Sequence, residues 1–287
     1  MIDSSPLYDL IVRLLPFDAF QARFMQQALV GLILIAPISA ALGVHVVNFR
    51  MSFFADAIGH SAFAGVALGL IFSVSPRWTM PIFGLLVGLG IMALQRRSAL
   101  SSDTVIGVVF AAVMAFGLAM VSRVQGVARD LQRFLYGDIL TITNADILGL
   151  AALGVLIFAF QIWGYNRLLY ISLTPVVAKA HRVQVATYQY LFAGLLALVV
   201  MFSVWAVGVL LVTALLIVPA ATARNLARSA GALFWWAMGL STTSAVIGLW
   251  ISAQDWARTA TGPTVIMVGV VGFIISQIVV MVHKQPQ

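Results

Sequence analysis

The sequence predicts an all-α, polytopic membrane protein with about eight to nine transmembrane helices, on three observations. First, 62% of the 287 residues are hydrophobic and 9% are charged, against roughly 25% charged in a soluble domain. Second, several apolar runs reach the roughly 20 residues that a helix needs to cross a bilayer. Third, the runs are continuous, whereas the strands of a membrane β-barrel read as short alternating segments.

The first run covers 24–47 and stops at Asn48-Phe49-Arg50. The second, 53–74, carries Asp56 and His60. Pro76-Arg77-Trp78 then makes a short turn, with Trp78 suited to anchor the interface. A third run, 80–94, halts at Gln95-Arg96-Arg97, and a fourth, 104–121, follows Ser101-Ser102-Asp103, a helix N-cap cluster. The mixed stretch 123–144 reads as an interfacial segment around 131–140. A fifth run, 147–163, precedes a polar stretch, 164–189. The apolar stretch 190–221 is too long for one straight crossing. It reads as a full span plus a return broken near Gly208 and Pro219. Arg224 and Arg228 mark a loop, and the last spans cover 233–251 and 264–282. This gives eight full spans and a partial one in a single membrane domain, 1–287. Residues 1–23 form an N-terminal interfacial segment and 24–283 the helical bundle. Asp3, Asp9 and Asp18 stand where a signal peptide would be basic and then apolar, so no cleavable leader is predicted.

Charge and composition exclude several function classes. The net charge of +7 is explained by arginines in loops beside anionic lipid, not by nucleic acid. With the N-terminus outside, inside loops hold Arg50, Arg96, Arg97, Arg167, Lys179, Arg182, Arg224, Arg228 and Lys284. The outside then holds Arg13, Arg23, Arg77, Arg123, Arg129, Arg133 and Arg258, so the positive-inside rule leans to this orientation. The chain has no cysteine, which removes disulfides and thiolate ligands. Every acidic residue is Asp, so an HExxH protease helix is impossible, and neither Lys179 nor Lys284 lies in a GxxxxGK[ST] phosphate loop. Any ATPase must be a separate chain.

Few ionisable groups remain for the bilayer interior, where each is by default a functional candidate. Asp56 and His60 are four apart, hence on one helix face. Gly59, Ser61, Ala62, Ala64, Gly65, Ala67 and Gly69 around them let a neighbouring helix approach closely. A carboxylate and an imidazole there can bind a divalent cation; the pair reads equally as a helix cap or an internal hydrogen bond. Two such pairs across a two-fold axis would supply four ligands, enough for a tetrahedral site. His45 reads more readily as a packing histidine than as a third member of the path. Asp103 and Asp146 suit caps, His181 and His283 suit solvated positions, and the methionines are too scattered for a copper ladder. A second stretch, Pro219 to Gly231, contains Thr222, Arg224 and Arg228. It reads as a short surface helix or as an ordinary basic loop, and Pro175 to Arg182 has the same ambiguity.

Arg50-Met51-Ser52 followed by Asp56-Ala57-Ile58-Gly59-His60-Ser61-Ala62 resembles the R-M-S-x-x-x-D-A-[IL]-[SG]-H-[AS] signature of bacterial zinc/manganese/iron ABC-transporter permeases. Asp103-Thr104-Val105-Ile106-Gly107, the run Leu215 to Arg224, and Gly262-Pro263-Thr264 agree with it in order, so the resemblance covers about 24–282. It implies a type II-like importer permease in the bacterial inner membrane, a homodimer or a paired heterodimer. Its partners would be a cytoplasmic ABC ATPase dimer and an extracytoplasmic metal-binding protein. No cofactor would be tightly bound; Zn2+ or Mn2+, with Fe2+ in the same ligand range, would be cargo, and ATP would act only through the partner. Asp56 and His60 would line the path, and the segment holding Pro219, Thr222, Arg224, Arg228 and Gly231 would contact the ATPase. Two departures stand out: Ala64 replaces the usual proline before Gly65, and Ala178-Lys179-Ala180-His181-Arg182 replaces A-x-A-L-G. Other readings are a permease for a chelated metal or cofactor of the siderophore or cobalamin kind, and a proton-coupled secondary transporter using Asp56 and His60 as a relay. An intramembrane hydrolase fits poorly, because adjacent His60 and Ser61 diverge on a helix.

Overall fold

The computed structural model describes residues 8, 13, 18–122 and 138–283. Its helices are α1 (Arg23–Asn48), α2 (Ser52–Ile71), α3 (Pro76–Arg97), α4 (Ser102–Val121), α5 (Asn144–Leu173), the short α6 (Pro175–Ala180), α7 (Val185–Val207), α8 (Val209–Leu226), α9 (Ala230–Ser252) and α10 (Thr261–His283). Among the described residues all but α6 are long and apolar enough to cross a membrane, nine in total, and no strand occurs. The chain is a multi-pass membrane protein. The expected partial return is a full helix, so eight spans plus a fragment becomes nine.

Local chemistry explains the boundaries. Ser101, Thr143 and Ser229 accept hydrogen bonds from the backbone N–H groups of Thr104, Asp146 and Ala232, opening α4, α5 and α9. At α5 the Asp146 carboxylate reaches back to the Thr143 N–H, completing a capping box. Asp146 also accepts from Arg77 at 2.8 Å, tying the start of α5 to the start of α3. Three helix ends close by the same device. Arg50, Ser73 and Arg182 have φ of 56°, 57° and 59°. In each case the left-handed residue and its successor donate back into the last turn, as with Arg50 to Val47 and Met51 to Val46. This is the Schellman arrangement, with a non-glycine residue where glycine is usual.

Two boundaries differ from the sequence expectation, at 163 and Pro219, and the break at Gly208 agrees with it. Helix α5 runs ten residues beyond 163, through part of the supposed polar stretch. Arg167 is tolerated in it because its guanidinium lies over the Trp163 and Tyr188 rings, at 4.7 and 5.3 Å, and donates to the Tyr188 hydroxyl. Between α7 and α8 the break is Gly208 alone, at φ 83° and ψ 162°, a conformation essentially open only to glycine. Pro219, by contrast, lies inside α8 without ending it, as membrane helices permit. The expected interfacial segments 1–23 and 131–140 fall mostly outside the described residues. Of the second, Asp138 caps a 3-10 turn over Ile139–Thr141.

Small residues set the packing. α2 lies against α3 and α4 and also meets α7 and α8, while α1 packs on α5, α8 and α9. A Cβ on Gly65 would come within 2.8 Å of the Met80 Cα, so α2 and α3 touch backbone to backbone. At Gly43 a Cβ would overlap the Leu216 carbonyl oxygen, the tightest approach of α1 to α8. With no hydrophobic force between helices in lipid, such contacts carry the association.

Candidate functional site

Helix α2 is preceded by Met51 at the N-cap, whose side chain makes no capping bond, and Asp56, a full turn inside, is not a cap. The flanking Ala55, Ala57, Ile58, Gly59, Ser61 and Ala62 are all buried. Asp56 and His60 are half-buried and share one stripe with Phe53, which is 62% exposed. The polar pair therefore faces a side of α2 that the described residues leave open.

The surroundings fit an ion rather than a closed internal bond. The Asp56 carboxylate lies near His60, one turn along the helix, and near Thr213 of α8. The Thr213 hydroxyl donates to the Val209 and Leu210 carbonyls of its own helix, each at 3.2 Å, so its single proton is already engaged. The His60 ring packs against Phe63 and edge-on against Phe110 of α4, with centroids 5.7 and 5.4 Å apart. Its Nδ1 is buried and has no hydrogen-bond partner among the described residues. A buried polar atom without a partner is costly and suits a group that is satisfied only when a ligand arrives.

The packing at Gly59 holds this geometry. A Cβ there would sit 2.8 Å from Val209 Cγ1, so α8 approaches α2 one residue from His60 and immediately after the Gly208 break. Sequence reasoning misses Thr213, although it is the one polar residue between Gly208 and Pro219.

The other predicted residues lie apart from the pair. His45 is fully buried, with Nε2 2.9 Å from Gln161 Oε1, while Gln161 Nε2 donates to the Ala41 carbonyl at 2.6 Å. Tyr165 and Phe192 pack on the ring at 5.1 and 5.9 Å. No group of three His or Asp side chains able to hold a metal forms among the described residues, so His45 does not join Asp56 and His60 in one ligand set. Gln161→Leu should strand His45 Nε2 and cost about 1–3 kcal/mol. Thermal unfolding in detergent would read that loss, with transport by the folded fraction unchanged.

Pro219, Thr222, Arg224, Arg228 and Gly231 do not form a separate surface helix. α8 runs unbroken through Pro219 to Leu226, Ala227 is extended, and Ser229 starts α9. Arg224 and Arg228 are exposed but no longer share a helix face, and Thr222 is buried, its hydroxyl on the Val218 carbonyl at 2.8 Å. Beside this end stands α6, with Val176 and Val177 75% and 47% exposed.

Residues 21–280 match the ABC 3 transport family. The chain belongs to that family. It is 32% identical to the high-affinity zinc uptake system membrane protein ZnuB of Haemophilus influenzae over 249 residues, 87% of this chain and 95% of that one. It is also 32% identical to the manganese import system permease protein ScaB of Streptococcus parasanguinis, over 89% and 90% of the two chains. In three dimensions it resembles PsaBC from Streptococcus pneumoniae, solved in complex with Fab, at a TM-score of 0.76 and 28% identity, with 95% of each chain covered.

Proposed function

We propose that this family member is the permease subunit of an ATP-driven importer for a divalent transition-metal ion, zinc or manganese, the whole chain acting as one transmembrane domain of the bacterial inner membrane. The observation that carries the reading is the Asp56–His60 pair, polar, half-buried, incompletely hydrogen-bonded and turned to the open side of α2. Relatives named for zinc and manganese transport support the same cargo. One chain offers two ligands, and a tetrahedral ion requires four. The open stripe through Phe53, Asp56 and His60 supports a second permease, identical or a paired homologue, facing it with its own pair. A site assembled between subunits can also be taken apart, as transport demands; an ion held in a closed cage would not leave.

The chain itself performs no covalent chemistry in this reading. An extracytoplasmic protein delivers the ion, and a separate cytoplasmic ATPase dimer supplies the energy. The ATPase docks on the end where α6 and the end of α8 lie together, the end that the arginine distribution marks as cytoplasmic. Exposed Val176 and Val177 give it an apolar foothold. Of the segment Pro219–Gly231, Arg224 and Arg228 are the side chains exposed to receive it. Reconstitution of the chain with its ATPase in liposomes tests the whole: zinc or manganese should accumulate only with ATP. Accumulation without ATP would replace this reading with a proton-coupled transporter, and uptake of a metal chelate but not the bare ion would replace the cargo.

A further inference from the structure

A cavity of about 710 Å³ opens where the ends of α1, α3 and α5 meet α6 and α7, a size typical of small-molecule sites. Its charged lining has one sign: Arg50, Arg96, Lys179 and Arg224, with no acidic side chain among the described residues. Asp103 follows the lining residue Ser102 but is itself exposed and off the wall. Asn48, Gln95, Ser102, Ser172 and Gln189 supply the rest of the polar lining, and Asn48 Nδ2 and Gln95 Nε2 are buried donors without an acceptor among the described residues. Arg96 is partly engaged, donating to Gln189 Oε1 at 2.8 Å and lying 5.8 Å from the Tyr190 ring. Arg50 stands there in the left-handed conformation, at φ 56°.

The one-signed charge and the two unpaired amide donors call for an acceptor. Four cations around one space repel each other, and two buried amide donors are left unpaired at a cost. A divalent cation would be repelled, so this space is not explained by the metal path. Guanidinium groups suit phosphate, which they can bind bidentately, and basic pockets between membrane helices on the cytoplasmic side are suited to phosphorylated headgroups.

We propose that this cavity binds a phosphate-bearing anion, either the headgroup of an anionic phospholipid or a free phosphate. Arg50, Arg96, Lys179 and Arg224 counter its charge, and the Asn48 and Gln95 amides donate to its oxygens. Because Pro175 and Lys179 of α6 form part of the wall, the bound anion ties α6 to the bundle.

Native mass spectrometry of the delipidated chain in uncharged detergent tests this, with phosphatidylglycerol, phosphatidylcholine and inorganic phosphate added in turn. One phosphatidylglycerol should bind with preference over phosphatidylcholine. Retention of that lipid in excess phosphate assigns the site to a headgroup, and its displacement by phosphate assigns it to a free anion; both support the proposal. Arg96→Gln and Lys179→Gln, each an exposed side chain, should weaken binding about fivefold apiece, while Arg97→Gln, one residue off the lining, should leave it unchanged. Equal binding by the Arg96→Gln/Lys179→Gln double variant and the parent overturns the proposal. So does the absence of either anion combined with loss of ATPase assembly in that double variant, which would give the cavity to a protein contact.

Discussion

Uptake of zinc or manganese by the Asp56→Ala variant is expected to fall by at least about 100-fold, while the variant still assembles with its ATPase. Removing a group that merely orients a metal ligand costs roughly 10–100-fold, and Asp56 is proposed as a ligand itself. In a symmetric pair of permeases one substitution removes two of the four donors. The fold should survive, because Asp56 caps nothing, lies half-buried on an open stripe, and alanine is the best helix former. The Thr213 hydroxyl is left satisfied, since it donates to the Val209 and Leu210 carbonyls. Asp56→Asn separates charge from shape, keeping the size and polarity of the side chain but not the anionic metal donor. Uptake by Asp56→Ala at the parent rate, measured in liposomes with matched protein content, would refute the ligand role.

Gly43→Ala is expected to destabilise the bundle by about 3 kcal/mol or more, read as a fall in melting temperature on the order of 10 °C. The added methyl would overlap the Leu216 carbonyl oxygen, a backbone atom that no rotamer change can move aside. α1 and α8 must separate, and α8 is the helix that brings Thr213 to Asp56. Transport should therefore fall together with stability. Gly90→Ala and Gly239→Ala are the controls, since a Cβ at either meets nothing within 4 Å. Both remove a glycine from a helix interior and should leave stability level or raise it by up to about 1 kcal/mol. A melting temperature for Gly43→Ala equal to those controls would show that the α1–α8 contact relaxes freely.

The spans and the central pair were legible because each rests on a strong local signal. Uncharged apolar runs of membrane length suit little except a bilayer crossing. An aspartate and a histidine four apart within one of them stand out against a chain with 9% charged residues. Gly208 was legible as a break for a related reason: it interrupts a stretch too long for one crossing. What failed were signals that tertiary contacts override. Pro219 looked like a second break, yet a packed membrane helix accommodates it. Arg167 looked like the edge of a polar loop until Trp163 and Tyr188 proved to cover it. The turns at Arg50, Ser73 and Arg182 lack the glycine that would announce a left-handed helix stop. Thr213 drew no notice because a hydroxyl in an apolar helix ordinarily bonds its own backbone, and only the fold places Asp56 beside it.

The single-residue joint at Gly208 has a mechanical meaning. A loop between two helices acts as a slack rope, absorbing displacement; one residue in a glycine-only conformation has almost no slack. α8 is thus clamped at one end to α7, while its other end carries Arg224 on the face proposed for the ATPase. Thr213 and Arg224 are separated by roughly 16 Å of helix, at 1.5 Å per residue. Axial thrust applied near Arg224 travels along that rod to the hydroxyl beside Asp56, and the missing backbone bond at Pro219 is the one built-in point of compliance along the way.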